Sequence, residues 1–247
     1  MKIVIITGGS RGIGAATAIA CAESGLGVIL TYKASPGRAE DVVREIEARG
    51  GRAVALPLDV GDVTAFPSFR ADVVAALASI WGRADFDYLV NNAGYGLYRP
   101  IETVTEAEFD GLYGVHLKGP FFLTQTLLPL MATNGHIVNI VSATSRVATA
   151  GVAPYACFKA GLEVLTRYQA KEFGPRGIRA NAIAPGPIRT ELGGGLSAAF
   201  EAVLAGQTAL GRVGEAAEVG SVVASLLSEH NRWIDAQTIE VGGGYMI

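Results

Sequence analysis

The feature that most constrains this chain is a short apolar run, Ile3-Val4-Ile5-Ile6, leading through Thr7-Gly8-Gly9-Ser10-Arg11-Gly12-Ile13-Gly14 into a helix-forming stretch, Ala15 to Glu23. A continuous apolar run of this length suits a strand covered on both faces, as strands of parallel sheets are. Glycines in the following turn let backbone approach a pyrophosphate, and the helix start supplies free N–H groups and a positive dipole. Gly8, Ser10, Arg11, Gly12, Ile13 and Gly14 are therefore candidate cofactor contacts. The spacing is G-x-x-x-G-x-G and not the usual G-x-G-x-x-G fingerprint, so a plain glycine-rich turn is the alternative.

The same pattern recurs along the chain. A second apolar run, Val28 to Tyr32, ends without the acidic residue that an NAD-type site places against the ribose 2′-hydroxyl. Lys33 follows, and with Arg11 it offers two cations for a 2′-phosphate, favouring NADP(H) over NAD(H); either cation would equally serve as a solvated surface charge. Ser35 to Gly50 reads as a helix with a stripe of Val42, Val43 and Ile46, and Ala53 to Leu58 as the third strand. Asp59 and Val60 suit an adenine, although Asp59 equally suits a helix cap. A helix from about Asp62 to Trp81 precedes the fourth strand, Asp87 to Val90, which delivers Asn91-Asn92-Ala93-Gly94. Small residues there admit a sugar, and the amides can instead tie strand ends together.

Thr105-Glu106-Ala107-Glu108 is a capping box opening a long helix through His116 toward Leu130. Gly135 to Val141 is the fifth strand and ends at Ser142. A helix from about Pro154 to Phe173 follows, then a strand from Ile178 to Ile183 that ends in Pro185-Gly186-Pro187-Ile188-Arg189-Thr190. Glu191 to Gly211, with Gly193 to Gly195, makes a poor core and a plausible mobile lid. Glu215 to Leu227 reads as a last helix, Thr238 to Val241 as a last strand. Strands alternating with helices predict a single α/β domain over residues 1–247, a doubly wound parallel sheet of Rossmann type with helices on both faces. Ligands of such sheets bind at the carboxyl ends of the strands.

Tyr155 and Lys159 lie four apart in the Pro154 helix, so phenol and ammonium share one face. An ammonium about 5 Å from a phenol favours the phenolate by about 3 kcal/mol, roughly two pKa units, at an effective dielectric of about 20. That would make Tyr155 a general acid/base near neutral pH.

A net charge of −3 and a pI near 5.7 argue against nucleic acid and anionic membranes as partners. The apolar runs read as shorter than a membrane span, and the N-terminus enters a strand directly, predicting a cytoplasmic protein. Only Cys21 and Cys157 are present, without metal-ligand spacing, so neither a disulfide nor a metal site is expected. Cys157 reads as a packing residue.

Taken together, the turn at Thr7 to Gly14, Asn91 to Gly94, Ser142, Tyr155-x-x-x-Lys159 and Pro185-Gly186 resemble the short-chain dehydrogenase/reductase family over essentially the whole chain. The resemblance implies hydride transfer between NADP(H) and a ketone or secondary alcohol. Ser142 would hydrogen-bond the carbonyl, and Tyr155 would protonate the developing alkoxide. Lys159 would bind the nicotinamide ribose and lower the Tyr155 pKa. Asn92, Ala93, Gly94, Pro185, Gly186, Ile188 and Thr190 join the cofactor contacts, Thr190 at the nicotinamide amide. A homo-oligomer, most often a tetramer in this family, is expected.

Two positions depart from the family pattern. His116 stands where an asparagine is usual; its main-chain carbonyl would still hold a water leading to the lysine, but its side chain differs, so helix geometry or the proton relay is altered, or the change is simply tolerated. Asp235-Ala236 replaces a common Thr-Gly, and alanine would be strained if that backbone needs positive φ. Two other activities compete with a ketone reductase. A 3-oxoacyl-carrier-protein reductase needs a basic docking surface, for which Lys171 and Arg176 are the candidates; a non-catalytic NADP-sensing protein would keep the fold alone. Expected pocket walls are Tyr95 to Tyr98, Thr144 to Val147, Val152 and Ile188 to Leu196, with Arg99 and Arg146 as anchors for an anionic substrate group.

Overall fold

Side chains alternate across a strand, and β1 (Ile3–Ile6) sends Val4 and Ile6 into one apolar cluster and Ile3 and Ile5 into another. All four are fully buried, each contributing about 2 kcal/mol of hydrophobic free energy. The computed structural model describes all residues from Met1 to Ile247. After β1 come α1 (Gly12–Glu23), β2 (Gly27–Tyr32), α2 (Pro36–Ala48), β3 (Ala53–Pro57), α3 (Phe66–Ala76) and β4 (Phe86–Asn91). The second half runs α4 (Glu106–Tyr113), α5 (Gly119–Leu127), β5 (Met131–Ile140), α6 (Ala153–Phe173), β6 (Arg179–Pro185), β7 (Ile188–Arg189), α7 (Ala198–Gly206), β8 (Gly214–Glu215), α8 (Ala216–Leu226) and β9 (Thr238–Val241).

One parallel sheet of seven strands has the order β3-β2-β1-β4-β5-β6-β9, and β7 pairs with β8 apart from it. Residues of α1, α2 and α8 cover one face; residues of α3, α5 and α6 cover the other. The architecture is thus the expected doubly wound one. The strand order reverses between β1 and β4, and the turns leaving these two strands flank a crevice where ligands of such sheets bind. α1 and α8 pack so closely that a Cβ on Gly220 would lie 2.7 Å from the Ala16 backbone.

Several local expectations change. Gly114–Lys118, containing His116, is a π-helical turn joining α4 to α5, so the central helix is interrupted where the sequence departs from the family. The stretch read as a lid, Glu191 to Gly211, contains α7, whose Leu204 packs against Ala143, Val147 and Tyr245. Gly193, Gly194 and Gly195, before α7, all have positive φ (64°, 97° and 85°), a conformation that glycine adopts at little cost. Val63–Trp81 is long and apolar enough by composition to cross a membrane, against the expectation of short runs. Its Phe66, Phe69, Val73 and Leu77 are buried in the core. Cys157 is exposed and does not pack, because α6 turns that side outward. Ala236 does adopt φ 56°, the conformation in which alanine is strained.

Candidate active site

Each of β1, β4, β5 and β6 ends by delivering polar or small residues to one cavity of about 790 Å³. The glycine turn shapes its floor. Gly8 has φ 67° and packs on Ala93, while a Cβ at Gly14 would lie 2.2 Å from the Gly8 carbonyl oxygen. Asn92 holds this geometry: its Nδ2 donates to the carbonyls of Thr7 (2.8 Å) and Gly8 (3.2 Å), and Thr7 Oγ1 accepts from the backbone N–H groups of Asn92 and Ala93. Its side chain therefore ties β1 to β4. A cradle this tight, with backbone exposed and Arg11 at its edge, fits a dinucleotide pyrophosphate.

Gly8, Ser10, Arg11, Gly12, Ile13, Gly14, Lys33, Asp59, Val60, Asn92, Ala93 and Gly94 line the cavity, and so do His116, Ser142, Tyr155, Lys159, Pro185, Gly186, Ile188 and Thr190. These are all the catalytic and cofactor-binding candidates read from the sequence. Lys33 Nζ lies 2.6 Å from the Asp59 carboxylate, so the cation expected at a 2′-phosphate and the acid expected at an adenine form an ion pair. Asp59 also accepts from the Gly61 N–H at 2.9 Å.

Tyr155 and Lys159 project from α6 into the cavity, but the electrostatics differ from the expectation. Lys159 Nζ donates to the Ile140 carbonyl at 2.7 Å and lies 5.6 Å from the Tyr155 ring centroid. Burial pushes the Tyr155 phenol up to about 12, with the Ser142 hydroxyl pulling the other way. Burial pushes the Lys159 ammonium down to about 7. The expected lowering of the Tyr155 pKa by Lys159 is not seen in this state, where desolvation of the phenol dominates. Ser142 Oγ accepts from Thr144 N (3.2 Å) and Thr144 Oγ1 (2.9 Å), which fixes its rotamer.

His116 lies beneath Tyr155. Its ring meets the Tyr155 ring edge to face at 5.0 Å, and Nε2 lies 2.8 Å from the Tyr95 carbonyl oxygen. An acceptor there requires Nε2–H, leaving Nδ1 as an unprotonated buried acceptor without a partner. Burial, and then repulsion from Lys159, push the imidazole down to about 3 against the pull of the Tyr95 carbonyl, so it is neutral. Gly94 makes the room: a Cβ there would sit 2.7 Å from His116 Cε1.

The expected substrate anchors are engaged elsewhere. Arg99 donates from Nε and Nη2 to one oxygen of Glu108, while Arg146 binds Glu240 and the Tyr245 and Met246 carbonyls. Neither lines the cavity. Phe200, Leu204 and Tyr245 do, beside Tyr95, Leu97, Tyr98, Leu192 and Leu196. The first three escaped sequence reasoning because nothing local signals that α7 and the C-terminal end fold back across the strand ends. Also missed was a buried network below the site, in which Asn91 donates to Asn139, and Asn139 to Thr166 and Gln169, each at 2.8 Å.

Residues 8–246 match the family described as enoyl-(acyl carrier protein) reductase. The 3-oxoacyl-(acyl-carrier-protein) reductase FabG of Staphylococcus aureus is 36% identical over 245 residues, covering 98% of this chain and 97% of that one. The reductase LugOII, which catalyses keto-reduction at C1 in lugdunomycin biosynthesis, superposes with a TM-score of 0.94 at 34% identity, over 100% of this chain and 98% of the other. The angucycline C-6 ketoreductase LanV, solved with bound NADP, superposes at 0.93 and 33% identity, over 99% and 95%. The seven-stranded parallel sheet together with these matches defines an oxidoreductase of doubly wound α/β fold. The chain belongs to the short-chain dehydrogenase/reductase family.

Proposed function

We propose that the protein is an NADPH-dependent ketone reductase in which Tyr155 is the general acid. The observation that carries this reading is the convergence of Ser142, Tyr155 and Lys159 at one end of a cavity whose other end is the glycine turn. When bound, the cofactor supplies a hydride to the carbonyl carbon. Gly8 to Gly14, Asn92 to Gly94 and Pro185 to Thr190 would hold it, with Arg11 and Lys33 toward a 2′-phosphate. The NADP bound to LanV supports the same choice.

The chain's own groups then do the following. Ser142 Oγ donates to the substrate carbonyl oxygen and concentrates charge there. Tyr155, pushed up to about 12, keeps its proton through the neutral range and is ready to release it to an alkoxide, which favours the reducing direction. Lys159, pushed down to about 7 by burial, is the proton reserve beside Tyr155 near neutrality. Two groups pushed in opposite directions by one environment mark an acid and its supply. His116 is a positioning residue: anchored on the Tyr95 carbonyl, its ring braces the phenol.

The substrate walls present neutral side chains, and both candidate arginines are paired. An uncharged apolar ketone fits this surface. The similarity to FabG favours a second reading, a 3-oxoacyl group on a carrier protein; against it, Arg176 is drawn onto the Leu128 and Met131 carbonyls. NADPH oxidation with a panel of free ketones and with a 3-oxoacyl-carrier protein separates the two. Tyr155→Phe should lower kcat by at least about a hundredfold while NADPH still binds; full activity in that variant would sink the mechanism. NADPH binding without turnover of any carbonyl would leave only a sensor.

We also propose a homo-oligomer, a tetramer by family habit. Phe109, Tyr113, Phe121, Phe122, Val164 and Tyr168 are exposed on the neighbouring helices α4, α5 and α6, and Trp233 is fully exposed elsewhere. An apolar surface of this kind marks an interface. Sedimentation of Phe122→Glu and Tyr168→Glu should show smaller species than the parent; a monomeric parent refutes the proposal.

A further inference from the structure

The cations at the adenosine end of the cavity are all neutralised from within. Lys33 is paired with Asp59. Glu191 Oε2 lies 2.7 Å from Arg38 Nη1 and 3.7 Å from Arg11 Nη1. Arg38 belongs to the first turn of α2 and reaches Glu191 from outside the cavity, whereas Glu191 and Arg11 line it. The two carboxylates are held differently. Asp59 is fixed by the Gly61 N–H as well as by Lys33, whereas the Glu191 side chain bonds only to arginine. Glu191 also begins the strap of positive-φ glycines, Gly193 to Gly195, around which a Cβ would meet almost nothing. Arg38 first, and Arg11 after it, hold the Glu191 carboxyl below the usual carboxylate range.

We infer that Glu191 is an internal placeholder for the cofactor's 2′-phosphate, and that Arg38 is a specificity residue which Glu191 yields to that phosphate. The inference rests on the NADP(H) reading above. A dianionic phosphate offers two guanidinium groups more charge than one carboxylate does. The pairs it displaces are exposed and individually weak. Exchange frees the start of the strap, whose Leu192 and Leu196 form part of the substrate wall. Occupation of the adenosine end is thereby coupled to the mobility of the substrate end.

Adenosine 2′,5′-bisphosphate and adenosine 5′-monophosphate differ only in the 2′-phosphate, so calorimetric titration with each isolates the contact without turnover. The parent should prefer the bisphosphate. Arg38→Ala should reduce that preference about tenfold, and Glu191→Gln should raise it about two- to fivefold. In hydrogen exchange, the bisphosphate should speed the Gly194 and Gly195 amides, which donate to the Glu191 and Leu192 carbonyls; in Glu191→Gln they should already be fast. Should Arg11→Ala or Lys33→Ala abolish the preference while Arg38→Ala and Glu191→Gln leave it intact, the placeholder is wrong and the NADP reading stands. Equal binding of the two nucleotides by the parent would remove both.

Discussion

Lys159 and Tyr155 are four residues apart in any helical reading, but what the pair does depends on groups remote in sequence. The Ile140 carbonyl takes the ammonium at 2.7 Å, and burial raises one pKa while lowering the other. His116 contributes a braced ring and no titration in the working range, since it is pushed down to about 3. His116→Asn should therefore lower kcat about tenfold through loss of alignment with NADPH affinity retained. The kcat–pH profile of the parent should carry an inflection near 7 from Lys159 that persists in His116→Asn; an inflection that vanishes in the variant would make His116 a proton carrier. Ala236, at φ 56°, offers the converse test. Ala236→Gly should stabilise by about 0.5–1 kcal/mol, raising Tm by about 1–4 °C. A fall in Tm would show that the backbone is content with alanine.

At the scale of elements, local chemistry and packing divide the work. The Thr105 capping box forms as its residue types dictate, Glu108 N donating to Thr105 Oγ1 at 3.2 Å and Thr105 N to Glu108 Oε2 at 3.0 Å. The π-turn at Gly114–Lys118 lacks such a signal, and it holds His116 with Nε2 2.8 Å from the Tyr95 carbonyl oxygen. Glycine is a poor helix former, but Gly220 lets α8 lie against the α1 backbone. Gly220→Ala would improve helix propensity by about 1 kcal/mol in isolation. Here it should destabilise by about 1–3 kcal/mol through overpacking. Urea unfolding decides between them, and a stabilised variant would mean that the helices separate freely.

For the whole molecule, pH links the site to the core. His116 and His136, on α4–α5 and β5, are both buried and both pushed down to about 3. A histidine whose folded pKa lies below its unfolded value near 6.5 stabilises the fold fully above 6.5 and loses that contribution as pH falls toward 3. Each should remove about 1.4 kcal/mol of stability per pH unit in that range. Between pH 6 and 5, before carboxylates titrate, urea midpoints should fall, and His116→Asn should fall about half as steeply; a flat parent curve would show that neither imidazole is buried neutral in solution. Much of the architecture was legible from residue order, because a buried strand needs an apolar run, a tight turn needs glycine and a cap needs a hydroxyl, and each requirement acts within a few residues. That is why the alternation of strands and helices, and the candidate residues at strand ends, could be read directly. Contacts between distant segments left no local trace. The Glu191 bridge to Arg38, the return of Tyr245 over the cavity, the pairing of Arg146 with Glu240 and the opposed pKa shifts of Tyr155 and Lys159 depend on what folding places alongside and on how much water it removes. Only the tertiary structure decides those.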